Sequence, residues 1–247
     1  MKDRPHLLIL GGTADAAALA AILDGRLRIT NSLAGRTGHP VALPGTIRVG
    51  GFGGAVGLSR WLAENAVDLV VDATHPFAAT ISANATNACA ERRLPLLHLQ
   101  RPPWHRDPRD QWIEVDDMAS AAQALARSGG RAFLTVGVQE LSAFSGLDAV
   151  WKLIRLISHP ADPLDLGPHD IILRRGPFTL EDERQLLRDH RITVLVTKAS
   201  GGAATEAKLI AVREADLPVI MVRRPKVPDG QIVENAEAAA AWVLRNL

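Results

Sequence analysis

Residues 6–15, HLLILGGTAD, run an apolar segment into Gly11 and Gly12 and then into Thr13, a residue type that caps helices. Glycines between a strand and a helix let the backbone turn tightly and leave N–H groups aimed at a bound phosphate. Further on, NSLAGRTG at 31–38 presents Ser32, Gly35 and Arg36. In a dinucleotide-binding βαβ unit the second strand tip, ~20 residues after the glycines, lies over the adenosine ribose, where NAD binders hold an Asp or Glu. That acid would repel a 2′-phosphate, whereas an arginine and a hydroxyl suit one. The two stretches together point to NADPH.

Two more stretches place reactive side chains at strand ends. VVDATHPFA at 70–78 closes an apolar run with Asp72, Thr74, His75 and Pro76, at the carboxyl edge where open α/β sheets bind ligands. His75 is suited either to donate a proton or to bind a ligand oxygen. Asp72 either orients it or, the better reading, satisfies the turn at Thr74. VLVTKASGG at 194–202 repeats the strand-to-glycine design with Thr197, Lys198, Ser200, Gly201 and Gly202, one cation and several N–H donors able to close over phosphate or carboxylate. The GxxxxGK[ST] order is absent, which argues against nucleotide hydrolysis. Arg155, Arg174, Arg175, Arg223 and Arg224 also fall at predicted strand ends.

Other chemistries are poorly served. The chain has no tyrosine, so mechanisms that use a phenol as acid or nucleophile are closed. Its eight histidines show no HxH or HxxxH spacing, no cysteine partner accompanies them, and no metal site is read. There is no GxSxG nucleophile elbow. The single Cys89 excludes an intramolecular disulfide and fits the reducing cytosol. A net charge of +1 gives no general pull toward nucleic acid or anionic membranes. No apolar run is long enough to span a bilayer, and the N-terminus has no signal-like pattern, so a cytoplasmic location is expected.

These stretches need a scaffold of alternating strands and helices. Apolar, β-branched runs are predicted as strands at 6–10, 28–33, 68–71, 96–99, 132–136, 151–157, 170–173, 193–197 and 219–222. Helices are predicted from Thr13 onward and at 56–65, 78–92, 118–127 and 236–244. The alternation is that of βαβ units on parallel sheets. At 247 residues with 47% apolar residues, the chain suits two α/β, Rossmann-like domains, 1–128 and 129–247, with SGG at 128–130 as the joint and a ligand cleft between them. RPPWHRDPRD at 101–110 reads as a loop. A monomer or small homo-oligomer is expected.

The stretches also form a recognisable set. LGGTADA, SLAGRT, RVGGFGG, DATHPFA, the RPPW loop, LTVG at 134–137, RRGPF at 174–178, TKASGG and PVIMVRRP, in this order over almost the whole chain, resemble the precorrin-6x reductase family of cobalamin biosynthesis. Where many members carry Asp or Asn in TKxSGG, this chain has Ala199. The resemblance implies two Rossmann-like domains and NADPH-dependent reduction of one ring double bond in a polycarboxylate tetrapyrrole-derived macrocycle, a corrin precursor. It assigns NADPH binding to Gly11, Gly12, Thr13, Ser32, Gly35, Arg36 and Thr74. His75, Lys198 and Ser200 are the catalytic candidates, with Thr197, Gly201, Gly202 and Arg175 toward the substrate. The rivals are an NADPH reductase of another small molecule and a non-catalytic NADP-sensing module. A methyltransferase using S-adenosylmethionine would want an acid where Arg36 stands.

Overall fold

The run His6–Leu10 is buried at every residue, as a strand covered on both faces must be. In the computed structural model, which describes residues 4–35, 42–160 and 162–247, this strand, β1, lies inside a six-stranded parallel sheet. Its partners are β2 (Arg28–Leu33), β3 (Thr46–Val49), β4 (Leu69–Asp72), β5 (Leu96–Leu99) and β12 (Gln231–Val233), in the order β3-β2-β1-β4-β5-β12. Leu7 and Ile9 pack with α1 (Ala14–Ile22) and α7 (Ala236–Arg245). Leu8 and Leu10 face the opposite way, onto α2 (Gly54–Glu64) and α3 (Ala79–Arg92). The period-2 alternation of one strand thus recruits helices to both faces.

A second sheet has the order β9-β8-β7-β10-β11-β6, again all parallel. Its strands are β6 (Trp112–Val115), β7 (Arg131–Thr135), β8 (Trp151–Leu156), β9 (His169–Leu173), β10 (Val194–Lys198) and β11 (Val219–Val222). Phe133, Leu153, Leu195 and Met221 pack with α5 (Leu180–Asp189) and α6 (Ala207–Glu214). Helix α4 (Met118–Ser128) lies against β6, β10 and β11. Among the described residues no helix is long and apolar enough to cross a membrane.

Two Rossmann-like parallel sheets are what the sequence predicts, but the division of the chain is not. One unit is Met1–Pro102 with Pro225–Leu247, the other Pro103–Arg224, in place of the expected 1–128 and 129–247. The cause is strand pairing at the outer position of each sheet. β6 precedes the expected joint yet pairs with β11, Trp112 beside Val219. β12 ends the chain yet pairs with β5, Ile232 beside His98. The SGG at 128–130 is only the turn from α4 to β7, with Gly129 and Gly130 at φ of 62° and 82°; a Cβ on Gly130 would lie 2.4 Å from Thr193 Oγ1.

The sequence reading also left out β3, β6, β12, α5 and α6. The three strands are short, half exposed and at sheet edges, so they lack the continuous apolar run that marks a central strand. Helix α5 opens with Thr179 accepting from Asp182 N–H and fully buries only Glu183 and Leu187; its leucines stand among a majority of charged and polar residues, so it lacks the alanine-rich run by which the other helices are read.

Candidate active site

In an open parallel sheet the chain crosses to opposite faces on either side of the first strand, and the loops there leave a crevice at the carboxyl edge. In the first unit those loops are GGT after β1 and ATHP after β4. Gly11 N–H donates to Ser32 O at 3.0 Å, binding the turn to the tip of β2. Gly12 has φ +102°, a conformation open to glycine and costly to other residues. Thr13 Oγ1 accepts from Ala16 N–H at 3.1 Å, capping α1, and donates to Ala73 O at 2.7 Å. Its hydroxyl therefore joins the two crevice loops, which leaves backbone N–H groups as the contribution Thr13 can make to a ligand. Asp15, in the first turn of α1, is paired with Arg101 at 3.1 Å, so its charge is offset at a helix end that favours anions.

At the tip of β2, Ser32 is buried and no acidic side chain accompanies it. Gly35 has φ +74°, and a Cβ there would lie 2.9 Å from Val49 Cγ1. Arg36 lies outside the described residues. A second arginine, which the sequence reading passed over, does not: Arg48 on β3 is in register with Ser32. Its guanidinium donates to Gly50 O at 2.5 Å and Gly51 O at 2.8 Å and lies 3.7 Å from the Phe52 ring centroid. Two of its five N–H donors are thereby engaged, and no ion pair to a carboxylate is formed among the described residues.

Asp72 ends β4 and is buried. Its Oδ1 accepts from Thr74 N–H at 3.1 Å and from Thr74 Oγ1 at 2.7 Å, the turn-satisfying role that the sequence favours. Its Oδ2 lies 3.0 Å from Nδ1 of His98, a fully buried residue of β5. Burial alone would raise the carboxyl pKa. Hydrogen bonds from His98, Ser82 and Thr74 more than offset this and hold it below the ordinary value. His75 follows, half exposed, with Nδ1 accepting from Phe77 N–H at 3.3 Å. The neutral ring therefore carries its proton on Nε2 and acts there as a donor.

A depressed carboxyl pKa contributes stability that is present above the unfolded value, about 4, and is lost as pH falls through the folded one. An Asp72→Asn protein should therefore be less stable than wild type by about 1–2 kcal/mol near neutrality. The difference should shrink on acidification below about pH 4. Thermal unfolding followed from neutral to acid pH reads this directly; a constant difference at all pH values would place the charge of Asp72 outside the stability balance.

The second unit repeats the geometry. The loop after β7 begins at Gly137, φ +96°, and continues into a 3-10 helix, Val138–Phe144. β10 ends at Lys198, and the loop after it is ASGG. Lys198 Nζ donates to Glu140 at 2.8 Å, so the lysine is already ion-paired, which sequence alone did not reveal. Thr197 Oγ1 accepts from Thr135 at 2.9 Å, and Ser200 N–H donates to Lys198 O at 2.6 Å. Gly201 and Gly202 take φ of 68° and 84°. Arg224 clamps the loop through Ala199 O at 2.6 Å and Ser200 O at 2.8 Å, and Trp104 donates to Gly202 O at 3.0 Å.

The remaining arginines separate. Arg155 is buried, donating from its two terminal nitrogens to the two oxygens of Glu183 at 2.6 Å each and held over Phe178, so it serves the core. Arg223 is paired with Asp116 at 2.8 Å. Arg175 stands exposed past the end of β9, with no carboxylate partner among the described residues. Among these residues no group of three or more His, Cys, Asp or Glu is placed to hold a metal ion.

A parallel sheet of order 3-2-1-4-5-6 with a glycine turn after its first strand, as in the first unit, defines a Rossmann-type α/β protein. The family of precorrin-6x reductase CbiJ/CobK matches residues 6–244, and the chain belongs to that family. It is 47% identical to a precorrin-6A reductase of Rhodococcus erythropolis, over 96% of this chain and 97% of that one. Identity to the precorrin-6A reductase of Rhodobacter capsulatus is 45%, over 96% and 95%. The solved structure of CobK precorrin-6A reductase matches with a TM-score of 0.92 at 44% identity, covering 98% of this chain and 97% of that one.

Proposed function

We propose that this protein is an NADPH-dependent reductase of cobalamin biosynthesis that converts precorrin-6A to precorrin-6B. Family membership over nearly the whole chain supports the reaction. The observation that carries the cofactor assignment is the tip of β2, where Ser32 replaces the acid of an NAD site and Arg48 stands in register beside it. The glycine turn fits a dinucleotide: Gly12 leaves open space within 4 Å of where a side chain would start, and the first turn of α1 offers N–H groups that have no intrahelical partner.

When bound, the nicotinamide supplies a hydride to an electrophilic ring carbon of the macrocycle. The protein holds donor and acceptor in line and stabilises the changing charge. His75 Nε2–H is the group we assign to deliver the accompanying proton. Lys198, Ser200 and the N–H groups at Gly201 and Gly202 bind acid side chains of the substrate, with Thr197 holding the strand end. The ion pair to Glu140 means that a substrate carboxylate engages Lys198 in competition with a resident one. Arg175 serves the same acid groups from the end of β9. A cytosolic enzyme, monomeric or a small homo-oligomer, is the reading we adopt; the single cysteine supports the compartment.

Calorimetric titration with NADPH and NADH tests the cofactor. Wild type should prefer NADPH, and Arg36→Ala should weaken NADPH alone by about tenfold, the worth of one charge-assisted phosphate contact. Arg48→Leu should do likewise if that guanidinium reaches the 2′-phosphate. Equal binding of both cofactors, unchanged in both variants, would exclude a 2′-phosphate site at this edge.

A further inference from the structure

His98 occupies a strand position between the buried Leu97 and Leu99 and is itself fully buried. Only one of its ring nitrogens is satisfied. Nδ1 meets Asp72 Oδ2 at 3.0 Å, while Nε2 has no partner among the described residues. An aliphatic residue would fill the position without leaving a polar atom orphaned, and an orphaned buried polar atom costs stability. The bond to Asp72 is what histidine provides here.

That carboxylate has its other oxygen committed to both the N–H and the hydroxyl of Thr74. One oxygen is held from β5 and the other from the turn, with Ser82 of α3 also bonded to the carboxylate, so the orientation of Asp72 bears on the backbone leading into His75. On the ring's far side the fit is close: a Cβ built on Gly230, just before β12, would lie 3.1 Å from His98 Cδ2 and 3.3 Å from Nε2, so glycine there leaves the ring its room. We propose that His98 is a positioning residue for the reduction, orienting Asp72 so that Thr74 and His75 are set at the carboxyl end of β4. The inference rests on the functional reading above for the role of His75.

The test compares His98→Leu, which removes the donor to Asp72, with His98→Asn, whose amide nitrogen can replace Nδ1–H. Steady-state turnover of precorrin-6A is measured beside hydrogen exchange at the Thr74 amide. In folded His98→Leu protein, exchange at Thr74 should quicken and kcat fall about tenfold or more, with KM for NADPH within about twofold of wild type, since a misplaced group costs rate rather than cofactor binding. His98→Asn should recover most of both. Should His98→Leu not fold, Gly230→Ala takes its place, pressing on the ring without deleting it. Unchanged kcat, a loss of rate with Thr74 exchange unaltered, or no recovery in folded His98→Asn protein would overturn the proposal. If wild type itself does not reduce precorrin-6A, the functional reading fails, and Thr74 exchange alone then decides whether His98 orders the turn.

Discussion

Replacing Gly12 with valine should raise the dissociation constant for NADPH at least a hundredfold, about 2.7 kcal/mol, while leaving the protein folded. Two effects combine. The residue sits at φ +102°, where a β-branched side chain is strained by about 1–3 kcal/mol. Among the described residues, chain neighbours aside, nothing lies within 4 Å of a Cβ built there, so the side chain collides with no core atom and projects into the space proposed for the dinucleotide phosphates. Gly12→Ala should show a smaller loss in the same direction, which separates backbone strain from exclusion of the ligand. Calorimetry with circular dichroism as the folding control checks both variants. NADPH binding within about threefold of wild type in Gly12→Val would remove the cofactor from the β1–α1 turn.

Removing the imidazole of His75 should lower kcat about a hundredfold, the lower end of what a positioned acid contributes, with NADPH affinity nearly unchanged. The ring's Nδ1 is occupied by the Phe77 N–H at 3.3 Å, so Nε2 is the nitrogen that presents a proton. His75→Gln keeps a hydrogen-bond donor and loses the ability to transfer a proton. If His75 is the acid, Gln and Ala variants should be similarly slow; if it only binds a ligand oxygen, Gln should recover most of the rate. Full turnover in His75→Ala would mean that water or the macrocycle itself supplies the proton.

Much of the fold is legible in the residues because central parallel strands must be apolar throughout. HLLIL, LVV and VIMV mark their strands, and the alternation of such runs with alanine-rich helices gives two Rossmann-like sheets. What sequence could not supply is the exchange of outer strands: WIEV and QIV carry too little apolar signal to be strands at all, so nothing shows that one joins the sheet of later residues and the other the sheet of earlier ones. The local geometry of the candidate site was legible where glycines and strand ends coincide in sequence, as in the turn at Gly12 and the carboxylate of Asp72. It was illegible where a side chain's surroundings come from partners distant along the chain. His98 reads as an ordinary histidine until β5 is seen beside β4, Arg48 as a surface arginine until β3 is seen beside β2, and Lys198 as an available cation until Glu140 is found 2.8 Å away. Lys152 is the same lesson in the core. It is fully buried, with its ammonium donating to the carbonyls of Leu147, Val150 and Leu166, an arrangement set by loop closure and invisible in local pattern.

The measurement that bears most directly on the central claim is a single anaerobic incubation of the purified protein with precorrin-6A and NADPH carrying deuterium at both nicotinamide C4 positions. Mass spectrometry of the macrocycle should show the substrate consumed and one deuterium carried into a product two hydrogens richer. Intact substrate beside unoxidised cofactor, with both shown to be competent in the presence of a known precorrin-6A reductase, would contradict the assignment.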